Sequence, residues 1–310
     1  MSSVLHTVLG ATGGVGTAVA AALQQQNLPI RVVERSKEVN GFTTFKADLL
    51  DAEQAMKAVE GSSHVYLCVG LAYDIAVWRR DWPRLLQNVI DACVACNARL
   101  IFLDNMYMYG PAPLSVPFDE THPQEPVSKK GQLRKQLADT LMAAFASGKL
   151  KGLIARAADF FGPGSKNSVF YVSMLERMLK GKAPQSIAPK GVKHTYAYTM
   201  DAGRAMVMLA ADETCYGQVW HLPVGGGLAA EDIAALMNKE LGTDYKISFV
   251  PGFMLSLLGL FMRPLRELNE MMYQFRQPYD MSWQKFKNHF PDFEVTPYDV
   301  AVRETVKSFR

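Results

Sequence analysis

Three glycines, spaced Gly10-x-x-Gly13-x-x-Gly16, stand between a β-prone run at residues 4–9 and an alanine-rich run at residues 17–23. A strand that turns sharply into a helix leaves backbone N–H groups without partners at the helix start. Those groups, with the positive end of the helix dipole, suit a pyrophosphate. Glycine is needed there because a side chain would strike the phosphates or hold the helix off the strand. The residues expected to cradle such a ligand are Gly10, Thr12, Gly13, Gly14, Val15 and Gly16. Residues 29–34 read as a second strand that ends on Glu34-Arg35. An acid at that point hydrogen-bonds the ribose 2′-OH of NAD, whereas an arginine pairs with the 2′-phosphate of NADP. Arg35, with Arg31 adding positive charge, favours NADP, and NAD is the alternative; the bland reading is a solvated charge pair.

A second group of polar residues follows a predicted strand at 99–104. Asp104 and Asn105 close that strand, Tyr107 comes just after, and Lys130 and Arg134 are four residues apart on one helix face. Two cations on one face could hold a ribose or an acidic substrate, and Asn105 could hold a carbonyl. The plainer alternatives are a turn cap at Asp104-Asn105 and a solvated basic face shared with Lys129 and Lys135. His194, Tyr196 and Tyr198 alternate along a predicted strand and so share a side, either lining a substrate pocket or packing between lobes.

The elements that must position these groups alternate along the chain. Strands are expected at 4–9, 29–34, 43–47, 64–70, 99–104 and 152–156, and helices at 52–59, 82–98 and 128–147. Short connections and no internal repeat point to a parallel, doubly wound sheet, whose ligands sit at the carboxyl ends of its strands. The apolar run 64–70 suits a strand covered on both faces, and Val69-Gly70 at its end would let backbone approach a cofactor. Asp48-Leu49 ends the third strand. A proline-rich loop over 109–126 reads as a lid or site wall. An amphipathic run at 170–179, a strand at 192–198, a helix at 200–211 and a closing strand at 217–222 follow. Short helices at 230–239 and 254–262 and a strand at 246–250 then suggest a small C-terminal lobe. The expected fold is therefore α/β, a doubly wound parallel-sheet Rossmann fold with a smaller C-terminal substrate lobe. Residues 1–165 and 192–222 would form the dinucleotide-binding domain, with 166–191 and 223–310 as the lobe, interleaved in one structural unit.

Composition narrows the function classes. Apolar content of 49% and charged content of 20% exclude disorder over the 310 residues, and a net charge of +3 with scattered Lys and Arg argues against nucleic acid. Four cysteines suggest no disulfide framework, and Cys93-x-x-Cys96 reads as helix-face packing. Residues 253–262 are the most apolar run and too short to span a bilayer, so no membrane association is expected. The first strand begins almost at once, leaving no room for a signal peptide, and a cytoplasmic location is expected. Met271, Met272, Tyr273 and Phe275 read as core contacts. No cluster with metal-ligand spacing and no Gly-x-Ser-x-Gly elbow stands out.

The chain resembles the extended short-chain dehydrogenase/reductases of the NAD-dependent epimerase/dehydratase group over nearly its whole length. The resemblance rests on residues 10–16, Ala47-Asp48-Leu49, Met108-Tyr109-Gly110, the stretch 156–164 and Tyr198 to Ala205. It implies that Asp48 contacts the adenine ring and that the chain forms a homodimer through helices 82–98 and 128–147. It also implies a catalytic Tyr followed four residues later by a Lys, with a Ser or Thr nearby. Here Asn105 stands at the Ser/Thr position, and the segment 127–135 contains no tyrosine, offering Lys130-x-x-x-Arg134 or, one residue on, Gly131-x-x-x-Lys135, neither of which restores the pair. An unperturbed tyrosine needs an adjacent cation to act near neutrality, so this departure bears on the chemistry. Three readings follow. The protein is an atypical oxidoreductase or epimerase on a small hydroxy or oxo compound, with Asn105, Lys130, Arg134 and Tyr107 (or Tyr73) as the catalytic set. Alternatively it is a non-catalytic NAD(P)-binding sensor or regulator resembling the NmrA-like group, or a structural protein that keeps the fold.

Overall fold

The computed structural model describes residues 4–252 and 263–310. Seven parallel strands form the central sheet: β1 (Leu5–Leu9), β2 (Ile30–Glu34), β3 (Thr44–Lys46), β4 (Ser62–Leu67), β5 (Arg99–Asp104), β6 (Gly152–Arg156) and β10 (Val219–His221). Their spatial order is β10-β6-β5-β4-β1-β2-β3, so the chain winds outward from β1 to one edge and then from β4 to the other. The order reverses beside β1, which is where a doubly wound sheet opens a crevice.

Strand side chains alternate between two cores, as the pleat requires. Val8, Tyr66, Ile101, Leu153 and Ala155 pack under α1 (Gly14–Gln25) and α6 (Thr199–Ala211). Leu9, Val65, Leu67, Leu100, Phe102 and Ile154 pack under α2 (Ala52–Val59), α3 (Ile75–Ala95) and α4 (Lys129–Ala146). A third core joins a π-turn at Tyr171–Leu175 and α5 (Glu176–Leu179) to α7 (Ala230–Leu241) and α10 (Tyr298–Lys307). Two small parallel pairs accompany it: β7 (Asp159–Phe161) with β9 (Tyr196–Tyr198), and β8 (Gln185–Ser186) with β11 (Ser248–Phe249). α8 (Arg263–Asn269) lies against the start of α4, and α9 (Gln284–His289) returns to β10, with Phe286 and Phe293 entering the main core.

The strands at 99–104 and 152–156 coincide with β5 and β6. The helix expected from residue 82 begins instead at Ile75, where Asp74 accepts hydrogen bonds from the Ala76 and Val77 amides. Pro83 suggests a start but is enclosed within α3, whose Trp78 and Trp82 are buried. The strand expected at 64–70 runs over 62–67, and that at 192–198 shortens to Tyr196–Tyr198. Cys93 is fully buried in α3, and all four cysteines are free. The helix expected at 254–262 lies outside the described residues.

Candidate dinucleotide and substrate site

The glycine loop is shaped by contact rather than by freedom alone. Gly10 has a φ of +85°, and a Cβ there would lie 2.8 Å from the Val69 backbone. A Cβ on Gly16 would collide with the Gly10 carbonyl oxygen, so helix α1 could not sit this close to β1 with any larger residue. No side chain caps α1 at Gly13, and no acid occupies its first turn. The hydroxyls of Ser165 and Thr199, both buried, have no hydrogen-bond partner and border this loop through Gly14. An uncapped helix start beside unpaired hydroxyls fits a phosphate-bearing ligand.

The other cofactor candidates gather around this loop. Glu34 Oε1 accepts from the Thr12 amide (2.6 Å) and hydroxyl (2.7 Å), tying the end of β2 to the loop. Arg35 is exposed next to it. Asp48 follows β3, where the Ala47 amide donates to the Glu34 carbonyl, and its carboxylate accepts from the Leu50 amide. Leu49 is buried, Val69 touches Gly10, and Gly70 has open space around it. Arg31 is not part of this group. Its guanidinium donates to the carbonyls of Ala58 (3.0 Å) and Glu60 (2.7 Å) at the end of α2, away from the carboxyl end of β2.

The second candidate group follows β5. Asn105 is half-buried; its amide donates to Asp104 Oδ1 (2.9 Å), and its own Oδ1 accepts from the Tyr107 amide (3.0 Å). The Asp104-Asn105 pair therefore does cap a turn. That turn places Tyr107 against Trp78, ring on ring at 6.3 Å, with the Tyr73 hydroxyl 3.5 Å from its own. Burial pushes both phenols well up from their ordinary pKa, and the Asp159 carboxylate pushes further.

Lys130 and Arg134 do not form a solvated face. Lys130 is fully buried: its ammonium pairs with Glu267 and, at 3.1 Å, with Glu270, and lies 4.6 Å from the Tyr73 ring centre. Arg134 is buried between the Trp82 and Phe102 rings and pairs with Asp104, Nε to Oδ1 at 2.8 Å. Asp104 also receives Arg156, Nε to Oδ2 at 3.4 Å. Arg156 Nη1 donates to the Tyr109 hydroxyl (2.8 Å), which lies 2.7 Å from His221 Nε2. His221 Nδ1 faces the Ser282 carbonyl at 2.8 Å, and a carbonyl only accepts. The proton must therefore be on Nδ1, which leaves Nε2 to accept from Tyr109. Burial pushes the His221 pKa down to about 3, so this ring stays neutral.

One pair escapes a reading of spacing along the chain. Asp159, which opens β7, brings Oδ2 to 3.1 Å from Nε2 of His194, but in poor alignment. Neither of those atoms, nor His194 Nδ1, has a hydrogen-bond partner, although His194 is 2% exposed. Its ring is stacked between Phe275 (5.5 Å) and Tyr279 (5.0 Å). Tyr196, whose ring centre lies 5.0 Å from that of His194, and Tyr198 pack in the third core, where the Tyr198 hydroxyl donates to Glu304 (2.6 Å). Met271, Met272 and Phe275 are buried contacts. The alternation of His194 with two tyrosines marks a shared face, but nothing in it pairs residue 194 with residue 159.

Sheet order, open helix start and clustered strand ends define an NAD(P)-binding α/β protein of Rossmann topology. The chain belongs to the NAD dependent epimerase/dehydratase family, whose model matches residues 6–220. It is 24% identical over 263 residues to a dTDP-6-deoxy-L-talose 4-dehydrogenase (NAD(P)(+)) of Kitasatospora kifunensis, covering 79% of this chain and 81% of that one. Among solved structures it is similar to the UDP-glucose 4-epimerase of Thermotoga maritima with UDP-glucose, at a TM-score of 0.80, 18% identity and 98% coverage of both chains. It is similar also to the UDP-glucose 4-epimerase of Thermus thermophilus in complex with NAD, at a TM-score of 0.75, 18% identity and 98% coverage of both.

Proposed function

We propose that the protein is an NAD(P)-dependent oxidoreductase or epimerase whose substrate is a small, sugar-like hydroxy or oxo compound. The observation that carries this is the uncapped start of α1, bordered by the unpaired Ser165 and Thr199 hydroxyls. The relatives named above, a sugar 4-dehydrogenase and sugar-nucleotide 4-epimerases, supply the substrate class. The nicotinamide cofactor, when bound, would supply or accept the hydride. For the dinucleotide we favour NADP: Glu34 is engaged by Thr12, which leaves exposed Arg35 to meet a 2′-phosphate.

Within the catalytic set we assign different duties. Asn105 offers its amide NH2 to a substrate oxygen, since its carbonyl holds the turn. Tyr107 keeps its proton at neutral pH and serves as a hydrogen-bond donor, because burial disfavours its phenolate. Lys130 and Arg134 position the start of α4 and the end of β5 through their carboxylate partners. His194, whose Nε2 lies 3.1 Å from Asp159 Oδ2, is the group we place nearest to a proton-transfer role. We extend the same proposal to a homodimer packed through α3 and α4.

Separate titrations with NADH and NADPH, followed by oxidation assays on oxo sugars and other carbonyl compounds, test this reading. We expect NADPH to bind more tightly. Arg35→Ala should then weaken NADPH by about 1.5–3 kcal/mol and leave NADH unchanged. Negligible binding of both nucleotides would overturn the cofactor assignment. A second reading, a sensor that binds without turnover, is favoured by the engagement of Lys130 and Arg134 by carboxylates. Tight binding with no turnover across the panel would select it.

A further inference from the structure

Far from the glycine loop, three potential metal ligands that the chain order separates come together. Asp212, Cys215 and His289 place one donor atom each within 4.8 Å of one another. Asp212 and Cys215 flank the turn that ends α6, and His289 ends α9. His289 Nε2 lies 2.8 Å from Asp212 Oδ2 and 3.5 Å from Cys215 Sγ. Both partners thus converge on the same ring nitrogen. An acid that served to activate a Cys–His pair would hold the opposite nitrogen, so this arrangement does not resemble a nucleophile and its base. It resembles three ligands around a common centre.

We propose that Asp212, Cys215 and His289 form a zinc site that fastens the C-terminal segment to the edge of the sheet. Zinc bonds of about 2.3 Å to sulfur and about 2.0 Å to nitrogen, at a tetrahedral angle, place those two atoms about 3.5 Å apart. The Sγ–Nε2 separation already has that value. The nitrogen and oxygen need only part from hydrogen-bond distance by about half an ångström to ligate the same ion. The carboxylate is held in orientation, since Asp212 Oδ1 accepts from the Thr214 amide (2.9 Å) and hydroxyl (2.7 Å), leaving Oδ2 for the centre. The backbone of Cys215 is likewise fixed, its carbonyl accepting from the Trp220 indole (2.9 Å). The Cys215 thiol gives up its proton when it binds the ion. Asp212 and His289 expose about a third of their side chains, leaving room for water as fourth ligand. A mixed S, N and O set selects zinc over the harder divalent ions.

The site is independent of the cofactor reading. The 13 residues of α6 separate it from Thr199 at the glycine-loop end by about 20 Å. The test uses the full chain after chelator treatment. Zinc titrated by calorimetry should bind at one equivalent and raise the melting temperature, and Co2+ should give a near-ultraviolet thiolate-to-metal band. Cys215→Ser should abolish the band, and His289→Gln should weaken zinc binding at least tenfold while NADPH affinity stays unchanged. If Cys215→Ser does not fold, the exposed substitution His289→Gln carries the test with Asp212→Asn. No zinc binding, or zinc binding that survives both of those substitutions, overturns the proposal.

Discussion

Helices α1 and α4 both begin at the carboxyl edge of the same sheet, yet their first turns are treated in opposite ways. α1 has no capping side chain and no acid in its first turn. α4 is capped by Ser128, whose hydroxyl accepts from the Gly131 amide at 2.9 Å, and the Glu270 carboxylate takes the Lys129 and Lys130 amides as well. The cations that follow are equally well supplied, Lys130 by two glutamates and Arg134 by Asp104. Every helix start attracts negative charge. In α4 the chain itself provides it, whereas in α1 it is left to a ligand. A cationic motif such as Lys130-x-x-x-Arg134 is therefore a poor guide to chemistry until its partners are known.

The largest effect that could break this comparison lies under α4. Asp104 is shared by Arg134 and Arg156, both buried, so Asp104→Ala would leave two guanidinium groups in the core without their carboxylate. We expect a loss of about 3–5 kcal/mol, read as a lower urea midpoint. An unchanged midpoint would show that the pairing is not structural and would return Arg134 to the catalytic set.

The same network should make stability depend on pH. His221 has its pKa depressed by burial to about 3, against an ordinary value of 6.5. Above pH 6.5 it is neutral in both native and unfolded chains and its contribution is fully present. As pH falls from 6.5 towards 3, the unfolded chain takes up a proton that the native chain refuses, and stability drops by about 1.4 kcal/mol per pH unit. Urea midpoints measured between pH 7 and pH 5 should show this slope. His221→Gln should remove its share of the slope and leave comparable shares from His64, whose pKa burial also lowers, to about 4, and from His6, lowered by burial too. A slope that survives intact would place the acid sensitivity elsewhere.

The glycine loop and the strands beside it could be read from the chain because their constraints are local. Gly10 and Gly16 are required by atoms within a few residues or in the adjoining strand, and β5 and β6 are single apolar runs between breakers. Arg31 was the exception: its position beside Arg35 in sequence says nothing of which end of the strand it serves, and its partners are on α2. The second candidate group and its surroundings are built from long-range pairs. Lys130 meets Glu267 and Glu270, His194 meets Asp159, and Arg156 meets Tyr109, none of them joined by helix or strand periodicity. The start of α3 was hidden for a different reason, since Pro83 outweighs the cap at Asp74 in any local reading.

The smallest effect is the sharpest for the comparison itself. Glu270→Ala removes the carboxylate from the first turn of α4 but leaves the Ser128 cap and the Lys130–Glu267 pair in place. Loss of a helix-start acceptor costs about 1 kcal/mol, so the urea midpoint should fall only modestly. NADPH affinity should not change, because the cofactor would bind at α1, whose first turn makes no use of Glu270. A fall in NADPH affinity with little loss of stability would mean that the two helix starts act on one ligand. In that case Lys130, freed from one of its two acids, would belong to the binding site rather than to the scaffold around it.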